Sequence, residues 1–286
     1  MQTQEKFTIK NYTDIEGLES NVQRCTLFLH FGANNLKAVV ASKSKNAIYS
    51  LKIIESKEKN IFKSSASDLK SLVENLYPFE FETTKIIIDN NRHSIVPEPL
   101  FAGDKAESYL KLNTVLDKNF KVLYNRIGNN KVSVFALNED FYKSVISLFP
   151  HSEIIHETQL MMIFLSETNF KNDKETLFVN VHDSYIEVAQ LKNSALNYYN
   201  TFRAEADTDI IYFVLSVAEL QKLNPEKLHI ILFGDVSNTG SLPALMKKYI
   251  PDVELLKRPE TYSYPASFRE FQEQQNYLPI CSLLCE

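Results

Sequence analysis

Thr26 to Ala41, TLFLHFGANNLKAVVA, consists of two β-rich runs parted by Gly32-Ala33-Asn34-Asn35. Glycine and asparagine accept the positive φ that tight turns demand, so the stretch predicts a β-hairpin. The pattern returns at Thr176 to Leu191, TLFVNVHDSYIEVAQL, with the same Thr-Leu-Phe opening, polar break and alternating second run. Laid together without a gap, His30 meets Asn180, Gly32 meets His182 and Lys37 meets Glu187. Two halves that begin with one hairpin predict a duplicated fold.

Working outward, a third alternating run, Ala47 to Ile54, completes a three-stranded meander in the first half, and Ala195 to Arg203 does so in the second. KFTIKNY, ahead of the first hairpin, reads as an edge strand or an ordered arm. Helices follow each meander. One, DLKSLVENLY, is capped at Ser67 or Asp68, and the other, DTDIIYFVLSVAELQKL, opens on an aspartate cap. The continuous apolar runs KIII at 85–88 and LHIILF at 228–233 suit strands covered on both faces. In the first half, Pro97 and Pro99 interrupt the pattern, and two strands, FKVLYNRI and KVSVFAL, flank a turn at Gly128-Asn129-Asn130. The stripe Met161, Met162, Phe164 and Leu165 reads as core between domains. The polar stretch Lys171 to Glu175 marks the junction. The expected division is 1–170, with an inserted segment near 92–130, and 171–286, with a C-terminal tail.

Composition limits the functions available. At 286 residues and 44% hydrophobic the chain can form two cores. A net charge of −5, with no face-sized Lys/Arg cluster, gives no reason to expect nucleic acid. The three cysteines, Cys25, Cys281 and Cys285, lack paired zinc-ligand spacing and read as inert thiols suited to a reducing cytoplasm. No signal-peptide pattern and no run of about 18 apolar residues is present, so the expectation is a cytoplasmic protein without a transmembrane segment.

Meander, helix, then strands alternating with helices, twice over, resembles the actin-like ATPase superfamily, in particular assembly proteins of the FtsA and PilM type. The implied fold class is α/β: a duplicated actin-like, ribonuclease H-like fold whose two domains each hold a mixed sheet flanked by helices. The first phosphate loop of that superfamily carries an Asp, a Gly two residues on and often a later basic residue. Here His30 replaces the Asp, with Gly32, Asn34, Asn35 and Lys37 following. The second loop, usually Asp-x-Gly-Gly or Asp-x-Gly-x-x-Thr, is Asn180-Val181-His182-Asp183-Ser184. The adenosine loop, usually an apolar strand running into Gly-Gly, is reduced to Leu232-Phe233-Gly234-Asp235. At finer grain SIVPEPLF, SVFALNEDFYKSVISLFP, His156 and the terminal LCE resemble an uncharacterised bacterial domain-of-unknown-function family with this fold.

In the superfamily the first-loop carboxylate helps hold a hydrated metal, and the glycines let backbone N–H groups approach phosphates. Imidazole is a poor replacement, since Mg²⁺ prefers oxygen. The side chains of His182 and Asp183 stand where phosphate would rest. The resemblance therefore implies a degenerate nucleotide cleft in a non-catalytic binding or scaffold component, with an unidentified protein partner, no resident cofactor and no metal ligands. Gly32, Asn34, Asn35, Lys37, Asp183, Ser184 and Gly234 are its vestigial contacts. The alternative is an ATP-binding protein, an ATPase or a small-molecule kinase with atypical loops, which would use ATP and Mg²⁺.

Overall fold

The computed structural model describes residues 7–56, 60–74, 76–116, 118–128, 130–167, 175–192 and 195–285. Most of the expected junction at 171–175 lies outside these. The chain divides into two compact units, each treated by itself below. The first comprises residues 1–163, 261–268 and 279–286, and the second 164–260 and 269–278.

The first unit begins with β1 (Phe7–Thr13), α1 (Ile15–Glu19), β2 (Thr26–Phe31), β3 (Asn35–Ser42), β4 (Ala47–Ser56), α2 (Ala66–Val73) and β5 (Thr83–Ile88). β6 (His93–Pro97), α3 (Ala106–Leu110), β7 (Phe120–Ile127) and β8 (Lys131–Asn138) come next, then α4 (Glu139–Leu148), β9 (Glu153–His156) and the start of α5 (Glu157–Glu167). The main sheet runs β1-β4-β3-β2-β5-β9, and β6-β8-β7 forms a separate three-stranded sheet. β2 lies between antiparallel β3 and parallel β5, and all six of its residues are buried, as its unbroken apolar run requires. The largely exposed β1 is the edge strand. Leu29, Phe31, Leu36, Ile86 and Ile88 pack with Phe135 and Phe141 in one core.

The second unit contains β10 (Thr176–Val181), β11 (Tyr185–Lys192), β12 (Ala195–Arg203), α6 (Asp207–Leu220), β13 (His229–Gly234), α7 (Ser241–Met246) and β14 (Asp252–Leu255). Its sheet order, β12-β11-β10-β13-β14, repeats β4-β3-β2-β5-β9. The repetition holds at the level of single hydrogen bonds. Gly32 N–H donates to Asn35 O at 2.9 Å, and His182 N–H to Tyr185 O at 2.9 Å. Asp89 N–H donates to Phe31 O, and Asp235 N–H to Val181 O. His30 pairs with Lys37 across β2 and β3, as Asn180 pairs with Glu187 across β10 and β11. The gapless alignment of the two hairpins is therefore also their structural register. Phe164, in the last turns of α5, packs against Phe178, Phe233 and Tyr277 with ring centroids 5.1–6.0 Å apart.

Three local expectations change. No residue of Gly32–Asn35 has positive φ. The first hairpin instead closes through the Gly32–Asn35 bond and through Ala33 O and Asn34 O, which accept from Ile61 N–H and Ser56 N–H. α2 is capped by Ser65 in a reciprocal box with Asp68, so Ser67 and Asp68 sit in its first turn. Asp207 is inside α6, and it is Asp209 whose carboxylate takes the N–H groups of Glu205 and Ala206 at 3.0 Å. Among the described residues no helix is long and apolar enough to cross a membrane.

Candidate functional site

In the first unit, β2, β5 and β9 run parallel, with Phe31 beside Ile88 and Ile88 beside His156. Open α/β sheets place ligands at such carboxyl ends. There the chain brings together His30, Lys37, Asp89 and Glu157. His30 is 2% exposed, and its Nε2 lies 2.7 Å from Ser282 Oγ. Ser282 donates its own proton to Pro279 O at 2.5 Å, so the imidazole must donate to Ser282 from Nε2–H. Nδ1 then presents a lone pair. It has no hydrogen-bond partner and lies 3.7 Å from Glu157 Oε1, too far for a hydrogen bond. A carboxylate oxygen of Asp89 lies within 4.8 Å of one of Glu157. Burial, and then the Lys37 ammonium, lower the His30 pKa from 6.5 to about 3 against an opposing pull from Asp89. The ring is neutral at physiological pH.

Two further histidines hold the frame of this edge. His156 Nδ1 accepts from Thr158 N–H at 3.1 Å and so caps the first turn of α5, while its Nε2 reaches Asn90 O at 2.9 Å. His93 Nδ1 lies 3.1 Å from the same carbonyl, and the two rings sit 4.3 Å apart. These bonds tie the segment after β5, which carries Asp89, to the residue before Glu157.

In the second unit the corresponding edge is built around Glu187, which is 2% exposed. One carboxylate oxygen accepts from Asn180 Nδ2 at 2.7 Å and from His182 Nε2 at 3.1 Å. The other accepts from Tyr199 OH. The His182 ring stacks on Tyr185 at 4.0 Å, with 8° between the planes. Gly234 has φ +91, and a Cβ there would stand 2.3 Å from Val181 O and 2.5 Å from Asn180 Oδ1. Its N–H donates to Gln274 O at 3.0 Å.

Of the residues singled out in the sequence, Gly32, Asn34, Asn35 and Lys37 belong to the first unit. Gly32 is buried with its N–H committed, Asn34 is exposed, and Lys37 is 9% exposed opposite His30. Asp183 and Ser184 are exposed in the β10–β11 turn of the second unit, where Gly234 ends β13. Glu157, Ser282 and Tyr199 had not been singled out. Glu157 could have been found as a carboxylate at a strand-to-helix junction, whereas nothing in the local sequence marks Ser282.

A family model described as a protein of unknown function, DUF3822, matches residues 18–253. No curated protein matches the chain. Among solved structures, a Bacteroides thetaiotaomicron protein with actin-like ATPase fold and unknown function is 19% identical. It covers 93% of this chain and 98% of its own, with a TM-score of 0.75. The PilM–PilN type IV pilus biogenesis complex matches at 13% identity over 91% of this chain and 96% of that one, with a TM-score of 0.59. The fold is that of the actin-like ATPases.

Proposed function

This chain belongs to the DUF3822 family, and on that premise we propose that it is a non-catalytic binding or scaffold component in which side chains have taken over the nucleotide-contact positions. The observation that carries the reading is the His30–Ser282 hydrogen bond. Where the ATPases use a carboxylate to anchor hydrated metal, this chain has a buried neutral imidazole committed to its own C-terminal segment. Imidazole nitrogen does not suit Mg²⁺.

The other contact positions support the same reading. The Gly32 N–H is spent on Asn35 O, and the Gly234 N–H on Gln274 O. His182 and Glu187 fill the second loop with an internal network. The residues present therefore do not fit a magnesium-nucleotide complex, and no chemical step is assigned to one. A partner protein as the working ligand agrees with the occurrence of the similarly folded PilM in a complex with PilN.

The test is thermal unfolding with Mg-ATP or Mg-ADP, together with a phosphate-release assay. Binding at 100 times Kd would add about 2.7 kcal/mol of stability and raise the melting temperature. The expected result is no shift at millimolar nucleotide and no phosphate release above a protein-free control. A shift or turnover that Lys37→Ala abolishes would favour the ATP-binding alternative.

A further inference from the structure

The two repeated sheets match strand for strand except at one edge. In the first unit β1 lies outside β4 and pairs with it antiparallel over Phe7–Thr13. In the second unit β12 holds the place of β4, and no described strand lies outside it. The duplication therefore shows what this edge accepts, one more antiparallel strand. Open edges invite pairing with other chains, and proteins ordinarily guard them with charge, proline or brevity. The other sheet edges carry such guards. β1 has Lys10, β6 ends at Pro97, β7 has Lys121 and Arg126, and β9 and β14 are four residues each. β12 has nine residues, ALNYYNTFR, with no proline and no charge before Arg203. Arg203 is itself paired with Glu205 at 2.5 Å.

A bulge at Asn197, whose amide reaches Gln190 and Gln221 at 2.8 and 3.2 Å, leaves Tyr198–Arg203 as the regular part of the strand. Ala204 N–H donates inward to Ser184 O at 3.1 Å. N–H directions alternate along an antiparallel strand, so that of Thr201 points outward. It is met by Asn200 Oδ1 at 2.9 Å, a local substitute for the carbonyl of a missing strand. Tyr198 and Phe202 pack on the core of the second unit, with the Phe202 ring stacked on Phe213 at 4.7 Å. On the opposite face Tyr199 OH donates to Glu187. The strand is held from both faces while its edge stands open.

We propose that β12 is a self-association edge, at which a second copy of this chain adds its own β12 antiparallel about a two-fold axis through Asn200. The sequence around Asn200 complements its own reverse. Tyr198 meets Phe202 of the second copy, Tyr199 meets its Thr201, and Asn200 meets itself. Aromatic and threonine pairs directly across antiparallel strands are favourable, and no like charges come together. Thr201 N–H of each copy exchanges Asn200 Oδ1 for Tyr199 O of the other. The same operation about the centre of β1 would set Lys10 against Lys10, which assigns the second copy to β12. The contact is isologous and closed, so it ends at a dimer in which two five-stranded sheets become one.

Sedimentation equilibrium of the full chain should show a concentration-dependent dimer. Asn200→Lys sets two ammonium groups against each other at the axis, and Thr201→Pro removes an outward N–H. Each should raise the dimer Kd at least about tenfold. Neither touches a bond between strands of one chain, so far-UV circular dichroism at monomeric dilution should match wild type. Residue 200 would face its own copy with Cα atoms about 4.5 Å apart, within disulfide reach. In a Cys285→Ser background, Asn200→Cys should therefore oxidise to a covalent dimer, whereas Glu226→Cys, at another exposed position, should not. A wild-type chain that stays monomeric at roughly 100 µM would overturn the proposal and leave the edge to a strand of another protein. So would a dimer that both edge variants leave intact, or one in which Asn200→Cys crosslinks no better than Glu226→Cys.

Discussion

His30 Nε2 lies 2.7 Å from Ser282 Oγ, and because Ser282 donates to Pro279 O, the imidazole is the donor. The pair joins residues 252 positions apart, both almost wholly buried. It fixes the ring as the Nε2–H tautomer and turns an unpartnered Nδ1 toward Glu157. A group held in this way should be visible in the pH dependence of folding.

The folded His30 pKa is about 3 against an ordinary 6.5. Below pH 6.5 the unfolded chain takes up a proton that the folded chain refuses, so acid favours unfolding. Stability should fall as pH drops from 6.5 toward 3, by up to about 1.4 kcal/mol per unit from this residue. His30→Asn retains a side-chain donor without titrating. Urea midpoints from pH 7 to 4 should fall less steeply for it than for wild type, and parallel curves would remove His30 as the cause.

Glu187 accepts from Asn180, His182 and Tyr199 while 2% exposed. Glu187→Gln turns one acceptor oxygen into an amide that faces a donor. It should destabilise the protein by roughly 1–3 kcal/mol, since unsatisfied buried polar groups cost about that much. Equilibrium urea unfolding measures it, and a loss under about 0.5 kcal/mol would mean that water replaces the network.

Gly234→Ala should be among the most damaging single changes. Its φ of +91 is unfavourable for any L side chain, and the added Cβ would meet Val181 O at 2.3 Å. The expected loss exceeds about 2 kcal/mol in thermal or urea unfolding. A stable variant would show that β13 can move away from β10.

Phe164 contacts Phe178, Phe233 and Tyr277. Phe164→Ala should cost about 3–5 kcal/mol, as aromatic deletions in cores do. The corresponding change at exposed Tyr212 should stay within about 0.5 kcal/mol. Comparing the two melting curves separates a packing role from a general effect of losing an aromatic ring.

The sequence alone determined the duplication and its register. Strand pairing repeats wherever the apolar pattern repeats, and a one-residue slip would turn every buried side chain to the wrong face. For this reason His30 and Asn180, which fall at the same position of the two hairpin sequences, occupy equivalent places beside Lys37 and Glu187 in two separate sheets. The histidine at position 30, where the resemblance to the actin-like ATPases calls for an Asp, was legible in the same way, because it is a residue identity at a fixed offset from a turn.

What the sequence left open depended on the tertiary structure. The turn at Gly32–Asn35 looked as though it required positive φ, but Ser56 and Ile61 supply N–H donors that hold it in ordinary backbone conformations. Glu157 read as one more polar residue at a helix start until parallel pairing put β9 beside β5 and placed it with His30 and Asp89. The partner of His30 was least legible of all. Periodicity and propensity describe interactions between near neighbours in the chain, and Ser282 reaches the end of β2 only because folding buries a short apolar tail there.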